Sequence, residues 1–507
     1  MVGGDISVSD SRIASRLLVN QAEGNVNISS SRIFASQMFT DSQKNITIDG
    51  SQILSDNNLF FRSVANYLAI SSDIALSQFP TNLFLYNSNA RDINGNPLVR
   101  CGFQFKEIEA LGILDSRGHV DKSFSELQYH LVNSSKIDLS IFQAIAEQNP
   151  HSIIIDAHTG VIIGSRLSAK DHQVIIRTKN GLELLPLTLY NATMFGGGFN
   201  DTGIRSVISK IEAGAITIDA GSYLKSVGAL LRASVGSLKA DYIMDQSFIN
   251  EYRVRHDSLQ ALEPWLSSPK LYDMVVNDQV VPTRLEFSEI TKIDLGKGKI
   301  NLFYPYSSKQ VHLRQREGDL NIDRDVHFPY EVMAVHVDSG RIFFGIPKVE
   351  HFIINLFGGW FGNKGQIHLQ HHTTEHVHVT GQNLFFGASG DIEVHGEIQA
   401  SGALGLKSGS DIKLLADKHN FGSTVKQSIL KAENAYMMAN NIEVIGSLMV
   451  IKDHFQIVSH NDIKLLPIAL MTSYSYHGEK MTSKEYAIKH VVSEINAGVL
   501  NIDAGRA

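Results

Sequence analysis

Apolar and polar residues alternate in a short phrase that recurs near the start of the chain. The phrase GDISVSDSRI is followed by GNVNISSSRI and then by KNITIDGSQI, at intervals of twenty residues with nothing inserted or lost. Ile6, Val26 and Ile46 form one apolar column, and polar residues separate it from the next apolar column. Because this alternation is typical of a strand with one buried face, each copy predicts a short strand.

A small polar run follows each predicted strand, and Ser11, Ser31 and Ser51 share one column of it. Asn, Asp, Ser and Gly bend the backbone or bond to it locally, so the run predicts a turn. One strand and one turn cannot bury a face alone. The fixed period near twenty residues therefore predicts a solenoid, in which equivalent strands stack and complete each other's core.

The same period returns further along the chain. The phrase DIEV at 391–394 is followed twenty residues later by DIKL at 411–414. If these strands stack, Glu393 and Lys413 lie side by side with opposite charges, which is a favourable cross-strand pair. A second pair of such phrases begins at Asn441 and Asp462, at an interval of twenty-one residues.

A longer stretch of sequence is duplicated. VISKIEAGAITIDAG at 207–221 reappears as VVSEINAGVLNIDAG at 491–505. Ile216 and Ile218 of the first copy are predicted to point inward, since they alternate with polar residues. A Leu-Leu-Pro phrase and a polar loop of variable sequence precede both copies. We therefore predict a larger unit that consists of a strand repeat, an irregular loop and a return to the strand repeat.

Two stretches lack the twenty-residue repeat and are predicted to be irregular, partly helical insertions. In the first, Ser123 and Glu126 have capping-box spacing, and Pro150 supplies a helix stop. The second holds HDSLQALEPWLSSPKLYDM and the charged run RQREGDLNIDRD. The predicted organisation alternates the two kinds of segment: β-helix repeats over 1–90, an insertion over 91–151, repeats over 152–245, an insertion over 246–335 and repeats over 336–507.

Composition narrows the classes of function. The 507 residues carry 45 basic and 52 acidic side chains, a net charge of −7, which is too mild to indicate nucleic acid or an acidic membrane as partner. No apolar run reaches the roughly 18–20 residues of a membrane helix. Cys101 is the single cysteine, which excludes a disulfide framework and a cysteine-rich zinc module. We interpret it as an inert small hydrophobe.

The two ends of the sequence suggest whether the chain is part of a longer protein. MVGGDISVSD has neither a basic stretch nor an apolar core, so no secretory signal peptide is predicted at the start. Both ends lie inside a repeat, whereas a solenoid needs polar caps. We therefore expect the chain to be a fragment of something longer.

Three phrases resemble a known family. AITIDAGSYLKSVGALLRAS, GDIEVHGEIQASGALGLKSGSDIKLLA and INAGVLNIDAG look like haemagglutinin repeats. Such repeats build the shafts of filamentous haemagglutinin and of the contact-dependent inhibition exoproteins of Gram-negative bacteria. The resemblance lies in glycine, small polar residues and alternating aliphatics, and it includes no catalytic signature. It implies a right-handed parallel β-helix that is exported unfolded through an outer-membrane two-partner secretion transporter.

The predicted fold class is accordingly all-β: a right-handed parallel β-helix (solenoid) with coils of about 20 residues and two irregular, partly helical insertions. We interpret the chain as a non-enzymatic, secreted or surface-exposed shaft of a haemagglutinin-like adhesin or contact-dependent exoprotein. The resemblance implies two partners, the secretion transporter and a receptor on a host or neighbouring cell, and neither nucleic acid nor a transmembrane segment is expected. The alternatives are a polysaccharide-acting enzyme on a parallel β-helix and a non-functional gene fragment.

A histidine-rich stretch, HLQHHTTEHVHV, is the most conspicuous candidate for chemistry. His376 and His378 are two residues apart on a predicted strand and are expected to point to one side, near His368, His371 and Glu375. Converging imidazoles bind zinc or copper. The spacing is not H-E-x-x-H, and we interpret the stretch as a solvent-exposed outer face, so no catalytic, cofactor-binding or metal-binding residue is assigned.

Other candidates favour structural interpretations. Glycines in MFGGGFN (Gly196 to Gly198) and in DLGKGKINL lack phosphate-loop spacing and are predicted to form turns. Asp319, Asp323, Arg324 and Asp325 supply carboxylates and a basic group for glycosidic chemistry, but a charged surface loop is the commoner arrangement. The remaining candidates are aromatic residues that could contact sugar or protein, or could close turns: Phe357, Trp360, Phe361, Tyr474 and Tyr476.

Overall fold

The computed structural model describes residues 2–76, 148–195, 199–256, 272–357, 364–419, 424–478 and 481–505. The described chain is all-β and consists mostly of strands. It divides into two compact units, Met1–Ser288 and Glu289–Ala507. No helix in these described ranges is long and apolar enough to cross a membrane.

The first unit holds the strands β1 to β19 and the beginning of β20. Their bounds are β1 (Val2–Gly3), β2 (Ile6–Ser9), β3 (Arg12–Ala22), β4 (Val26–Ser29), β5 (Arg32–Ser42), β6 (Ile46–Asp49), β7 (Gln52–Ser63), β8 (Asn66–Ile70), β9 (Asp73–Leu76), β10 (Ser152–Ile163), β11 (Arg166–Leu185), β12 (Leu187–Phe195), β13 (Phe199–Val207), β14 (Lys210–Asp219), β15 (Tyr223–Val227), β16 (Leu230–Ala240), β17 (Tyr242–Gln246), β18 (Phe248–His256), β19 (Tyr272–Val281) and β20 (Arg284–Leu295).

The second unit holds the end of β20 and the strands β21 to β43. Their bounds are β21 (Gln310–Gln315), β22 (Leu320–Ile322), β23 (Val326–Phe328), β24 (Val332–Val337), β25 (Ile342–Phe344), β26 (Ile346–Phe357), β27 (Lys364–Glu375), β28 (Val377–Gly381), β29 (Leu384–Ala388), β30 (Ile392–Val394), β31 (Gly396–Ala400), β32 (Ala403–Ser408), β33 (Asp411–Leu415), β34 (Asp417–His419), β35 (Thr424–Lys426), β36 (Ile429–Ala432), β37 (Asn434–Ala439), β38 (Asn441–Ile445), β39 (Leu448–Ser459), β40 (Ile463–Leu466), β41 (Ile468–Gly478), β42 (Met481–Val491) and β43 (Glu494–Ala504).

Equivalent strands of the first unit pair in parallel and in register. Ile6 of β2 lies opposite Val26 of β4, which in turn lies opposite Ile46 of β6, and all three side chains are buried. Ile216 and Ile218 of β14 are likewise fully buried. These contacts confirm the predicted columns, in which apolar residues from successive repeats complete one core.

The parallel pairing continues on both sides of residues 77–147. β10 pairs with β7, so that Ile153 lies opposite Leu59. β11 pairs with β10, and β14 pairs with both β11 and β16. The strands before this interval, β7, β8 and β9, therefore pair directly with the strands after it, β10 and β11.

Two ladders of polar side chains run across the stacked turns of the first unit. In one, the side-chain amides of Asn25, Asn45 and Asn66 each donate to the residue one repeat earlier, at 3.3, 2.9 and 2.9 Å, with Asp5 at the end. Each bond links the side chains of neighbouring turns, and the bond between Asn45 and Asn25 is partly buried.

Serine forms the second ladder. The backbone N–H of Ser31 donates to Ser51 Oγ over 3.1 Å, and the N–H of Ser51 donates to Ser72 Oγ over 3.2 Å. Each hydroxyl also donates to the carbonyl two residues before it, as Ser51 does to Asp49 over 2.9 Å. The column of serines predicted to form turns therefore locks neighbouring turns together.

In the second unit, β22, β25, β30, β33, β38 and β40 form a six-stranded parallel sheet. Glu393 lies opposite Lys413, whose Nζ is 3.6 Å from Glu393 and 2.9 Å from Asp391. Glu443 lies opposite Lys464 in the same way. The predicted neighbours of opposite charge are confirmed.

Antiparallel hairpins interrupt the parallel strands in both units. Within the described ranges they are β12–β13 and β18–β19 in the first unit, and β26–β27, β34–β35 and β41–β42 in the second. The polar loops that precede the duplicated stretch form two of them, β12–β13 and β41–β42. The prediction of irregular loops there was wrong, because both arms pair along their full length.

In the insertion predicted over 246–335, the phrase HDSLQALEPWLSSPKLYDM, on which the expected helix rests, lies mostly outside the described residues, at 257–271. The described residues of that stretch form strands and turns and include no helix. In β21, Val311 and Leu313 are buried while Arg314 points outward to Asp338, at 2.8 Å. Within the charged run, Leu320 and Ile322 of β22 are buried and Asn321 is exposed, which is the alternation of a half-buried strand. The expected helices of the first insertion, with Ser123, Glu126 and Cys101, lie outside the described residues.

Candidate functional site

Three polar side chains converge at the ends of strands in the second unit. His376 lies between β27 and β28, His395 lies between β30 and β31, and Asp417 is the first residue of β34. One nitrogen of each imidazole and one carboxylate oxygen all lie within 4.8 Å of one another. These three residues are named the His-Asp cluster.

The position of the cluster follows from how the chain leaves the six-stranded sheet. β25, β33 and β40 are each followed by a hairpin, whereas β30 and β38 lead directly into the next strand. β30 pairs with β25 on one side and with β33 on the other. We call the turn that follows each strand of this sheet a corner. His395 therefore occupies a corner without a hairpin, and the corners on both sides of it carry a hairpin. His376 and Asp417 come from the bases of those hairpins.

Asp417 is the centre of the cluster. Its Oδ2 lies 3.1 Å from His376 Nε2 and 2.5 Å from His395 Nδ1. The side chains of His376, His395 and Asp417 are 13%, 8% and 16% exposed. The site is thus shielded from solvent without being closed.

Neighbouring groups hold the cluster in place. The backbone N–H of His395 donates to Phe344 O over 2.9 Å, and the His395 ring packs against the Phe343 ring at a centroid distance of 5.3 Å. The ring of His419 meets that of His376 edge-on, at 6.0 Å. These contacts restrict the orientation of both imidazoles.

Burial of Asp417 acts to raise the pKa of its carboxyl group, but hydrogen bonds from His376 and His395 outweigh burial and hold that pKa below its ordinary value. The group is therefore a carboxylate near neutral pH. A carboxylate between two imidazoles can share protons with them or bind a divalent transition metal through the same atoms.

The histidines that were predicted to share one solvent-exposed outer face have different surroundings. His378 lies in β28, is exposed, and has its Nε2 3.7 Å from Glu397 Oε2. His376 precedes that strand and turns to Asp417 instead. His376 and His378, which were expected to point to one side, therefore have different partners.

The other members of that stretch make separate contacts. His371 Nε2 lies 3.0 Å from Lys418 O, which links hairpin β26–β27 to hairpin β34–β35. Glu375 forms an ion pair of 2.8 Å with Lys348 within hairpin β26–β27. The side chain of His368 lies outside the described part of the structure.

A groove of about 450 Å³ lies on the outer face of β22, β25 and β30. Its lining includes the carboxylates of Asp319, Asp323 and Glu393, the guanidinium of Arg341 and the ring of Phe343. Carboxylates, a guanidinium and an aromatic face are the groups that bind sugar hydroxyls and sugar rings.

The groove and the His-Asp cluster are adjacent. Phe343 lines the groove and contacts the His395 ring. Gly345 also lines the groove, and a Cβ at that position would lie 3.1 Å from His395 Cβ. A ligand in the groove would therefore lie close to the cluster.

Arg341 fixes the protonation of one groove carboxylate. Its Nη2 and its backbone N–H donate to Asp319 over 2.9 and 2.8 Å, and these hydrogen bonds lower the pKa of the Asp319 carboxyl group. Asp319 is therefore an acceptor for hydroxyl groups and is unsuited to act as a general acid, which requires a raised pKa.

Only two of the four charged residues predicted for glycosidic chemistry line the groove, namely Asp319 and Asp323. The Arg324 guanidinium lies 3.7 Å from the centroid of the Phe303 ring. Asp325 Oδ1 accepts the backbone N–H of His378 over 2.7 Å. Arg324 and Asp325 therefore have structural contacts of their own.

The remaining candidates contribute no described site. Gly296 and Gly298 lie in the bend after β20, in keeping with the predicted turn. Tyr474 and Tyr476 lie in β41. Outside the described positions are the residues Gly196 to Gly198, Trp360 and Phe361, and the side chains of Phe357, Tyr474 and Tyr476.

Sequence reasoning missed His395 and Asp417, although a signal was present. His376, His395 and Asp417 follow one another at intervals of 19 and 22 residues, close to the twenty-residue repeat. In a stacked fold, residues one repeat apart are neighbours. A search for metal-binding residue types at that spacing would have found the cluster.

Comparison with known proteins gives no further information on the function of this chain. No family model, no curated protein and no solved structure matches the chain. The function is therefore inferred from the stacked strands and from the residues at their corners.

Proposed function

We propose that this chain is a non-enzymatic shaft segment of a secreted or surface-displayed adhesin or contact-dependent exoprotein. In this proposal the chain folds as a right-handed parallel β-helix with coils of about 20 residues. One observation carries the proposal: strands separated by one repeat pair in parallel and in register, as β2, β4 and β6 do.

This pairing suits a rigid spacer. A strand such as β4 gives its backbone hydrogen bonds to β2 on one side and β6 on the other, so no open edge remains within the stack. The Asn25–Asn45 and Ser31–Ser51 hydrogen bonds add side-chain links between the same neighbours. A structure held together by repeated local contacts keeps its form as repeats are added.

The hairpins supply surfaces for contact. In the second unit, β26–β27, β34–β35 and β41–β42 each follow a strand of the same six-stranded sheet. Loops on a rigid scaffold are the usual carriers of binding specificity. The expected partners are a receptor on a host or neighbouring cell and an outer-membrane two-partner secretion transporter, and the expected location is the surface or surroundings of a Gram-negative bacterium.

Display of the full chain on a surface tests this function. Cells coated with the chain should adhere to target cells more than cells coated with an unrelated β-helical shaft. Replacing hairpin β41–β42 by a two-residue link, as at Gly446–Ser447 between β38 and β39, should reduce adhesion if that hairpin carries specificity. Adhesion equal to that of the unrelated shaft would contradict the adhesive role.

The groove beside β25 favours a second candidate, a polysaccharide-acting enzyme. Asp323 and Glu393 are carboxylates in one groove, and glycosidic chemistry uses two such groups. The ionised Asp319 would bind substrate hydroxyls. Incubation with a panel of bacterial and host polysaccharides tests this candidate: release of reducing ends that Glu393→Gln abolishes would favour the enzyme over the shaft. Binding without cleavage would favour a carbohydrate-binding shaft.

A further inference from the structure

We propose that the His-Asp cluster is a binding site for a divalent transition-metal ion, with Zn²⁺ as the expected ligand. His376 Nε2, His395 Nδ1 and one carboxylate oxygen of Asp417 would be the protein ligands. The site goes beyond the display function and does not depend on it.

The donor set suits the ion. Imidazole nitrogen and carboxylate oxygen are ordinary ligands of Zn²⁺, and imidazole also suits Cu²⁺ and Ni²⁺. Two neutral imidazoles and one carboxylate leave a single positive charge on a bound divalent ion. An ion that is partly shielded from water needs such compensation. Ca²⁺ and Mg²⁺ prefer sites built from oxygen alone, so they are not expected here.

The ligand atoms are close enough to one another to share one ion. Tetrahedral bonds of about 2.0–2.1 Å place neighbouring ligand atoms about 3.4 Å apart. Asp417 Oδ2 lies 3.1 Å from His376 Nε2 and 2.5 Å from His395 Nδ1, and all three ligand atoms lie within 4.8 Å of one another. Small rotations of the two rings away from the carboxylate would open the space for an ion.

The surroundings hold the ligands and leave a way in. His395 is fixed by the Phe344 carbonyl and the Phe343 ring, and Asp417 lies at the base of hairpin β34–β35. The ligands come from three separate corners of the chain, so an ion would tie those corners together. Three protein ligands leave a fourth position open to water or to a solute. His376 and Asp417 retain 13% and 16% exposure.

The competing interpretation is a hydrogen-bonded triad that never binds metal. In that case each imidazole carries its proton on the nitrogen that faces Asp417. In the metal site the proton lies on the other ring nitrogen and the lone pair faces the ion, which is a change of tautomer without a change of charge. The two interpretations use the same contacts, so metal binding itself must be measured.

The test uses the full chain after dialysis against a chelator. Titration with Zn²⁺, followed by calorimetry, should show one tight site per chain above the weak binding expected from 21 histidines. His376→Gln should lower the affinity of that site at least tenfold, and Asp417→Asn should do the same. His378→Gln is the matched control, since His378 is exposed and only two residues away, and it should retain the tight site.

Co²⁺ provides a second measurement that needs no variant. Substitution of Co²⁺ into the wild-type chain should give the visible absorption of a tetrahedral nitrogen and oxygen site, and the unfolding temperature should rise with added Zn²⁺. Circular dichroism verifies that each variant retains its strands. The proposal is overturned if no tight site is found, if His376→Gln binds as the wild type does, or if the Co²⁺ spectrum is that of the hydrated ion. None of these results would affect the adhesion assay, so the two proposals fail independently.

Discussion

The side-chain amide of Asn45 donates a 2.9 Å hydrogen bond to Asn25 Oδ1, and its own oxygen accepts the amide of Asn66 over 2.9 Å. Asn45 is thus a donor to one repeat and an acceptor from the next. Among ordinary side chains of its length, only an amide does both.

Asn45→Ala should lower the free energy of unfolding by about 1–3 kcal/mol, because the hydrogen bonds on both sides are lost. Asn45→Asp should also destabilise the chain, since a carboxylate cannot donate to Asn25. The measurement is denaturant unfolding followed by circular dichroism. Asn27→Ala serves as control, because Asn27 is exposed on β4, and it should change stability by less than about 0.5 kcal/mol. Equal effects at Asn27 and Asn45 would contradict the role of the ladder.

Substitution of Tyr67 is not expected to lower the stability of the fold, in contrast to substitution of Asn45. Tyr67 is fully buried, its burial raises the pKa of its hydroxyl group, and that hydroxyl has no hydrogen-bond partner among the described residues. Tyr67→Phe should therefore leave the free energy of unfolding unchanged or raise it by about 1 kcal/mol, since an unsatisfied buried hydroxyl is removed.

Tyr306 is the matched control for Tyr67. Its hydroxyl donates to Asn301 O over 3.2 Å, so Tyr306→Phe should destabilise the chain by about 0.5–1.5 kcal/mol. Denaturant unfolding should therefore give a higher free energy of unfolding for Tyr67→Phe than for Tyr306→Phe. A loss of stability in Tyr67→Phe would indicate a partner for its hydroxyl.

The duplicated stretch allows a comparison of two equivalent glycines. Gly221 has a φ of +61°, and a Cβ at that position would lie 2.1 Å from Lys179 O. Gly505, its counterpart, would place a Cβ no closer than 3.8 Å to another atom. Gly221→Ala should destabilise the chain by at least about 1–2 kcal/mol, because the left-handed backbone is costly for alanine and the clash adds to it.

Gly505→Ala should have little effect on the same thermal unfolding measurement. Both variants are made in the full chain. If the alanine variants proved equally stable, the different environments of the two glycines would be refuted.

The ion pair between Asp338 and Arg314 predicts a dependence on pH. Hydrogen bonds from Arg314 hold the pKa of Asp338 below its ordinary value, against the opposing effect of burial. A lowered pKa in the folded state stabilises the fold at pH values above the ordinary carboxyl pKa, and that contribution disappears as the pH falls through the lowered value.

Asp338→Asn should therefore be less stable than the wild type at pH 7, by at most about 1 kcal/mol because both side chains are partly solvated. The difference should decrease as the pH falls below the ordinary carboxyl pKa, and it should be smallest at the most acidic pH at which the chain stays folded, because the wild-type carboxyl group becomes protonated. Urea unfolding at both pH values measures it. A difference that stays constant with pH would show that the charge of Asp338 is not its cause.

The parallel columns were predictable because their cause is local and repeated. Ile6, Val26 and Ile46 differ in position by one period, and alternation alone assigns them to the buried face. Glu393 and Lys413 were predictable for the same reason. Where the chain keeps its period, sequence separation translates directly into spatial contact.

The hairpins and the groove were not predicted, because they depend on departures from the period. Hairpin β34–β35 separates Glu397 from its partner Ile429 by 32 residues instead of about twenty. Arg341 and Glu393 line one groove but are more than fifty residues apart, since hairpin β26–β27 lies between them. The length of an inserted hairpin cannot be derived from the pattern of the strands that flank it.

The alternation of plain and hairpin-bearing corners in the second unit has an evolutionary consequence. Strands β25, β33 and β40 are every second member of their sheet, so the roots of their hairpins are about 9–10 Å apart at the usual strand spacing. Segments could be exchanged, lengthened or recombined at these roots while the intervening plain corners preserve the alignment of the strands, which would let such a protein diversify what it recognises without redesigning its support.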